Sequence, residues 1–126
     1  MRFGYLHFVY LGPASQAAAE ASECAADQDA FWPYHDLLYE NHVAEDRKPL
    51  TDETLKQFAD ELQLDRAPFD ECLESEKYRY EVQKQSAGAQ SLGIRGAPFF
   101  FINGETLPGA VAYRVCRSMI ERHRPR

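Results

Sequence analysis

Three cysteines are the strongest nucleophiles this 126-residue chain offers: Cys24, Cys72 and Cys116. A thiol can attack a carbonyl or a disulfide, ligate a metal, or be crosslinked, and most of these uses need a second group at short range. Dithiol exchange ordinarily works from a Cys-x-x-Cys pair whose first thiol is activated by a helix N-terminus, and zinc sites repeat the same spacing. Here the three are far apart and no Cys-x-x-Cys pair occurs. The spacing therefore encodes neither a zinc site nor a disulfide scaffold, and the odd number leaves at least one thiol free. The expectation is that each cysteine lies inside a helix as a small buried hydrophobe, unpaired cysteine being among the most buried residue types.

The other stretch with chemical potential runs from Gly93 to Gly109 and reads G-I-R-G-A-P-F-F-F-I-N-G-E-T-L-P-G. Phe99 to Ile102 is a short apolar run read as a buried strand. Asn103-Gly104 behind it readily supplies two positive φ angles for a type I′ hairpin. Pro98 opens the strand, where its missing N–H costs no interior ladder bond. The Ala97-Pro98 amide is also the best candidate for a cis bond, which would turn the Ala97 backbone outward toward an extended peptide; spacing alone favours the commoner trans form. His35 is read as a packing histidine, because no Ser, Cys or acid is placed by sequence to use it.

The elements that position these residues follow from periodicity. Arg2 to Tyr10 is aromatic and branched without a one-face pattern, as in a strand covered on both sides. Gly12-Pro13 ends it, and Ala14 to Ala26 has the composition of a strong helix former. Asp29 is positioned to cap a second helix, Ala30 to Asn41, with Pro33 in its first turn and Trp32, His35 and Leu38 on a stripe that packs on neighbours. Thr51 caps a third helix bearing Leu55, Phe58, Ala59 and Leu62; Asp65 caps a fourth with Phe69, Cys72 and Leu73. Ser75 opens a fifth, striped by Tyr78, Val82, Ala89 and Leu92 and stopped by Gly93. Ala110 to His123 closes the chain with Val111, Val115, Met119 and Ile120 inward. The basic run Arg122, His123, Arg124 and Arg126 is read as compensation of the helix dipole.

A net charge of -6 and pI near 5.2 argue against an electrostatic grip on nucleic acid or anionic membrane. No apolar run reaches the ~20 residues of a membrane span. Residues 1 to 12 lack the pattern of a signal peptide, so the chain as written is expected to be cytoplasmic. The residues call for no metal and no cofactor.

Three words of the sequence, in order, resemble the DsbA-like thiol-disulfide oxidoreductases: A-A-A-E-A-S-E-C-A at 17 to 25, F-W-P-Y-H-D-L-L-Y at 31 to 39, and G-I-R-G-A-P-F-F-F-I-N-G at 93 to 104. The resemblance covers nearly the whole chain. It implies one α/β domain of thioredoxin-like fold over residues 1-126, with 1-12 and 93-126 forming the thioredoxin-like part and 13-92 an all-helical insertion. It also implies a cis Pro98 and a substrate-facing loop of Arg95, Gly96, Ala97 and Pro98. The family commonly has Thr or Val where Ala97 stands, and its first strand–helix segment, which carries Cys-x-x-Cys, has no counterpart in this chain.

Two functions compete on that basis. One is a redox-inactive binding or assembly module, or remnant, that meets an extended peptide or protein substrate and catalyses nothing alone. The other is a thiol-disulfide oxidoreductase whose redox-active half comes from another chain or an upstream segment. A glutathione-dependent isomerase or transferase is a weaker third. In the thioredoxin fold the absent strand is central, so a homodimer or a complementing chain is expected to complete the sheet, with Arg2 to Tyr10 as the contact.

Overall fold

A computed structural model describes residues 1–125; Arg126, the last member of the basic run, lies outside them. The element order is α1 (Pro13–Ala26), α2 (Phe31–Val43), α3 (Asp52–Glu61), α4 (Arg66–Glu74), α5 (Arg79–Ser91), β1 (Phe99–Ile102), β2 (Glu105–Pro108) and α6 (Tyr113–Arg122).

Helix α1 organises the bundle. Gly12 is its N-cap and Pro13 its first residue, where a missing N–H is harmless. Ala18, Ala21 and Ala25 recur at helical spacing on its buried side. Their small side chains let α2, α3, α4 and α5 all pack against it. Tyr34 of α2, Leu55 and Phe58 of α3, and Phe69 of α4 fill the space this leaves. The Tyr34 ring lies 5.7 Å from that of Phe69, and its hydroxyl donates to the Leu55 carbonyl at 2.8 Å. Burial pushes that phenol far above its ordinary pKa, so it stays a donor.

The helix boundaries are set more by C-caps than by N-caps. Asp29 does not cap α2. It adopts φ 58°, and the Ala30 N–H reaches back to the Ala25 carbonyl at 3.0 Å. That is the Schellman closure of α1, and Ala30 becomes the N-cap of α2 without a side-chain bond. The same closure recurs at Gln63 (φ 59°), Glu76 (φ 54°) and Gly93 (φ 83°), where the N–H of the next residue bonds to the carbonyls of Ala59, Cys72 and Ala89 respectively. Ser75 accordingly ends α4 instead of opening α5. In α5 the buried residues are Val82 and Ser86, whereas Leu92, expected inward, is 73% exposed. Thr51 does cap α3, its hydroxyl accepting from the Thr54 N–H at 3.3 Å. Asp65 occupies the N-cap of α4 but makes no side-chain bond there. Its backbone is instead clamped by the Gln28 amide, through Asp65 N–H to Oε1 at 2.8 Å and Nε2 to the Asp65 carbonyl at 3.0 Å.

Arg2 to Tyr10 corrects a second expectation. It joins no strand pairing among the described residues. The His7 N–H donates to Gln85 Oε1 (2.8 Å) and the Val9 N–H to Ser86 Oγ (2.9 Å). Alternate amides therefore point one way, as in a strand, yet their acceptors are side chains of helix α5. Aromatic and branched composition measures fit to a pleated surface, and a ladder also needs a neighbouring strand. Nor is the segment covered on both sides, since Phe3, Leu6 and Tyr10 are exposed.

Strands β1 and β2 pair antiparallel from Phe99↔Pro108 to Ile102↔Glu105, joined by Asn103 (φ 47°) and Gly104 (φ 89°). Two positive φ angles at the turn are what a type I′ hairpin requires. The strand expected to be buried is not, with Phe101 52% exposed. Helix α6 keeps a strongly one-sided apolar pattern but buries no side chain, so Val115 and Ile120 are exposed, not inward. Its C-terminal basic residues do more than offset a dipole: Arg122 pairs with Glu105 of β2 at 3.0 Å. Among the described residues, every buried one lies between His7 and Ile94.

Candidate functional site

The loop Arg95–Pro98 joins α5 to β1. Ile94, buried immediately before it, anchors its start, and the Pro98 carbonyl accepts from the Gly109 N–H at 2.8 Å, closing the base of the hairpin beyond its last pair. Between these fixed points Arg95, Ala97 and Pro98 are exposed and Gly96 is half-buried. The Ala97–Pro98 bond is cis. The four residues that the sequence singled out are thus contiguous and lie at the surface.

The cysteines are not three buried thiols. Cys24 of α1 and Cys72 of α4 form a disulfide with Cα atoms 5.8 Å apart, and Cys116 of α6 is free. Both bonded residues are buried, as expected of the type, but α1 and α4 pack so that they face one another. Sequence distance gave no sign of this, because helix packing, not spacing, sets the proximity. The pair lies within the helical bundle, and neither cysteine belongs to the proline loop.

A cluster that the sequence pattern did not single out lies where the N-terminal segment crosses α2. Tyr5 stacks edge-on against Trp32 (5.9 Å) and His35 (5.4 Å) and lies 5.2 Å from Phe31; Phe3 lies 5.4 Å from Trp32; Tyr39 closes the group 4.7 Å from His35. Burial, reinforced by the neighbouring Tyr39 hydroxyl, pushes the Tyr5 phenol up to about 12. His35 packs among these rings, with Nδ1 3.1 Å from Asp36 Oδ1. The expected stripe of Trp32, His35 and Leu38 is therefore divided: Leu38 packs against the core, whereas Trp32 stays substantially exposed. The available signal was the density of aromatics in both segments, which periodicity within one helix does not weigh.

His7 fastens this segment. It is 5% exposed, and its Nε2 donates to Glu23 Oε1 of α1 at 2.8 Å. His7→Ala is expected to free the segment locally at a cost of about 2 kcal/mol, the worth of one hydrogen bond to a charged group. Deuterium exchange at the Val9 amide should speed up about 30-fold. Unchanged exchange there would mean that the aromatic contacts alone hold the segment.

Solved structures place this architecture in the thioredoxin-like class. The thiol-disulfide exchange protein alpha-DsbA2 from Wolbachia pipientis superposes with a TM-score of 0.79 at 19% identity, over 93% of this chain and 62% of that one. A thioredoxin-like oxidoreductase from Silicibacter pomeroyi DSS-3 gives 0.72 at 23% identity, over 94% and 66%. The chain belongs to the DSBA-like thioredoxin domain family, whose model matches residues 5–121. Among relatives, the probable disulfide bond formation protein D of Bacillus anthracis is 31% identical over 104 residues, covering 79% of this chain and 48% of that protein. The Na(+)/H(+) antiporter NhaA 1 of Salinispora arenicola is 38% identical over 98 residues, covering 78% of this chain and 14% of that protein. The chain thus spans about half the length of the disulfide bond formation protein it matches. Among the described residues no helix is long and apolar enough to cross a membrane.

Proposed function

We propose that this chain is a DsbA-like domain that presents Arg95, Gly96, Ala97 and Pro98 to an extended peptide or protein substrate and carries out no dithiol exchange by itself. One observation carries the reading. The Arg95–Pro98 loop lies at the surface with only Gly96 half-buried and is anchored at both ends, while the sequence holds no Cys-x-x-Cys and two of its three thiols are tied up in the helical bundle. Exchange needs an accessible thiolate and ordinarily a second thiol to resolve the mixed disulfide, and Cys116 alone supplies no such pair. A second reading is favoured by the chain's half-length match to disulfide bond formation protein D. In it the same loop serves a thiol-disulfide oxidoreductase whose redox-active half is supplied by another chain or an upstream segment.

The two-stranded sheet and the unburied face of α6 support completion by a second chain, either a homodimer or a complementing fragment. The Cys24–Cys72 crosslink supports an oxidising compartment over the cytoplasm. The test is insulin reduction by the isolated chain, run across a concentration series with light scattering to report association. No turnover above the uncatalysed rate is expected at any concentration, together with a mass above that of the monomer. Turnover that disappears in a Cys116→Ser variant would refute redox silence, and a monodisperse monomer would refute self-association.

A further inference from the structure

The Cys24–Cys72 bond plays no part in the proposed use of the proline loop, and its surroundings suggest a separate role. It ties α1 to α4 across 48 positions of sequence. The face that α1 turns to the bundle is mostly alanine, with Ala18, Ala21 and Ala25 buried. An alanine buries far less apolar surface than a leucine, so this helix contributes little hydrophobic grip per turn. A covalent link to α4 adds to that grip.

The two sulfurs are not equivalent. Cys24 is 2% exposed and Cys72 7%. Cys72 Sγ lies 3.9 Å from Asp27 Oδ2, just beyond the end of α1, and that carboxylate is held by Lys77 Nζ at 2.8 Å and by the Tyr78 hydroxyl. Cys72 therefore sits beneath a polar surface cluster, and Cys24 lies behind it among apolar neighbours.

We propose that Cys24–Cys72 is a reducible staple, a redox site distinct from the proline loop, which a dithiol opens from the Cys72 side and whose opening loosens α1 from α4. A thiolate of the reductant attacks Cys72 Sγ; the bond to Cys24 breaks as the mixed disulfide forms, and Cys24 leaves as a thiolate that takes up a proton. The reductant's second thiolate then attacks its own sulfur in the mixed disulfide. Cys72 is released and protonated, and the reductant closes as a cyclic disulfide. Two electrons pass from the dithiol to the protein, which ends with two thiols. Expelling Cys24 as an anion into apolar surroundings is unfavourable, so the mixed disulfide reverts unless a second thiol on the same reductant resolves it, and a dithiol opens the staple where a monothiol does not.

The test uses the full chain. Samples held with and without dithiothreitol are quenched in acid, alkylated in guanidinium and weighed intact, and matched samples are melted by circular dichroism. One alkylated cysteine is expected before reduction and three after, with the melting temperature lower by about 10 °C in the reduced form. A Cys24→Ala/Cys72→Ala variant should melt near the reduced wild type in both conditions. Three alkylated cysteines without reductant, or reduced and oxidised wild-type melts coinciding within about 2 °C, would overturn the proposal. The two wild-type melts decide it even if the double variant does not fold.

Discussion

Tyr34→Ala is expected to destabilise the bundle by about 3–5 kcal/mol, a large part of the roughly 5–15 kcal/mol by which a domain of this size is stable. Tyr34 is fully buried where α2, α3 and α4 meet, with its ring against Phe58 and Phe69. Truncation leaves a void that those two rings cannot close without moving their own helices. The hydroxyl bond to Leu55 is the smaller part. Tyr34→Phe should cost about 1 kcal/mol, because the Leu55 carbonyl keeps its place in helix α3. Urea denaturation of both variants separates cavity from hydrogen bond. A Tyr34→Ala loss below about 1 kcal/mol would show that this junction repacks freely.

The order of the six helices and the hairpin was legible, although the expected strand at Arg2 to Tyr10 does not form, because each helix carries an apolar stripe or a breaker that local chemistry enforces. Gly12-Pro13 and Gly93 mark true ends, Thr51 caps α3, and Asn103-Gly104 makes the two-residue turn. The failures share a cause. Asp29 and Ser75 have the chemistry of N-caps, but closure of the preceding helix claims both, Asp29 as its left-handed residue and Ser75 as the C-cap before left-handed Glu76. Local preference at a junction between two helices serves both, and sequence alone does not say which helix prevails. Burial was misjudged at Phe101, Val115 and Ile120 for a different reason. An amphipathic pattern reports that a face is suited to cover, not that cover is supplied by the same chain.

The candidate site divides along the same line. The loop and hairpin at Arg95 to Gly104 were readable because proline and glycine constrain the backbone within a few residues, but spacing alone favoured a trans Pro98 and only the family resemblance implied the cis bond. The disulfide and the aromatic cluster were not readable, because each joins segments brought together only by packing: α1 with α4, and residues 3–5 with α2. In both cases the residue types were conspicuous in the sequence and their partners were not.

The alanines of α1 show how one composition carries two messages. Alanine is the best helix former, and that explains why the segment is helical. It does not explain why Ala21 and Ala25 are fully buried whereas Ala14 is exposed. On the inner face, smallness is the requirement, since α1 is the helix against which four others pack. Ala25→Leu is therefore expected to cost about 3 kcal/mol, at the upper end for overpacking, because the added carbons meet close-packed neighbours and α1 is held to α4 by the crosslink. Ala14→Leu, with nearly the same helix propensity and an exposed position, should stay within about 0.5 kcal/mol of the parent. Chemical denaturation of the two variants under oxidising conditions makes the comparison. Equal effects would mean that propensity, and not close approach, is what the alanines of α1 provide.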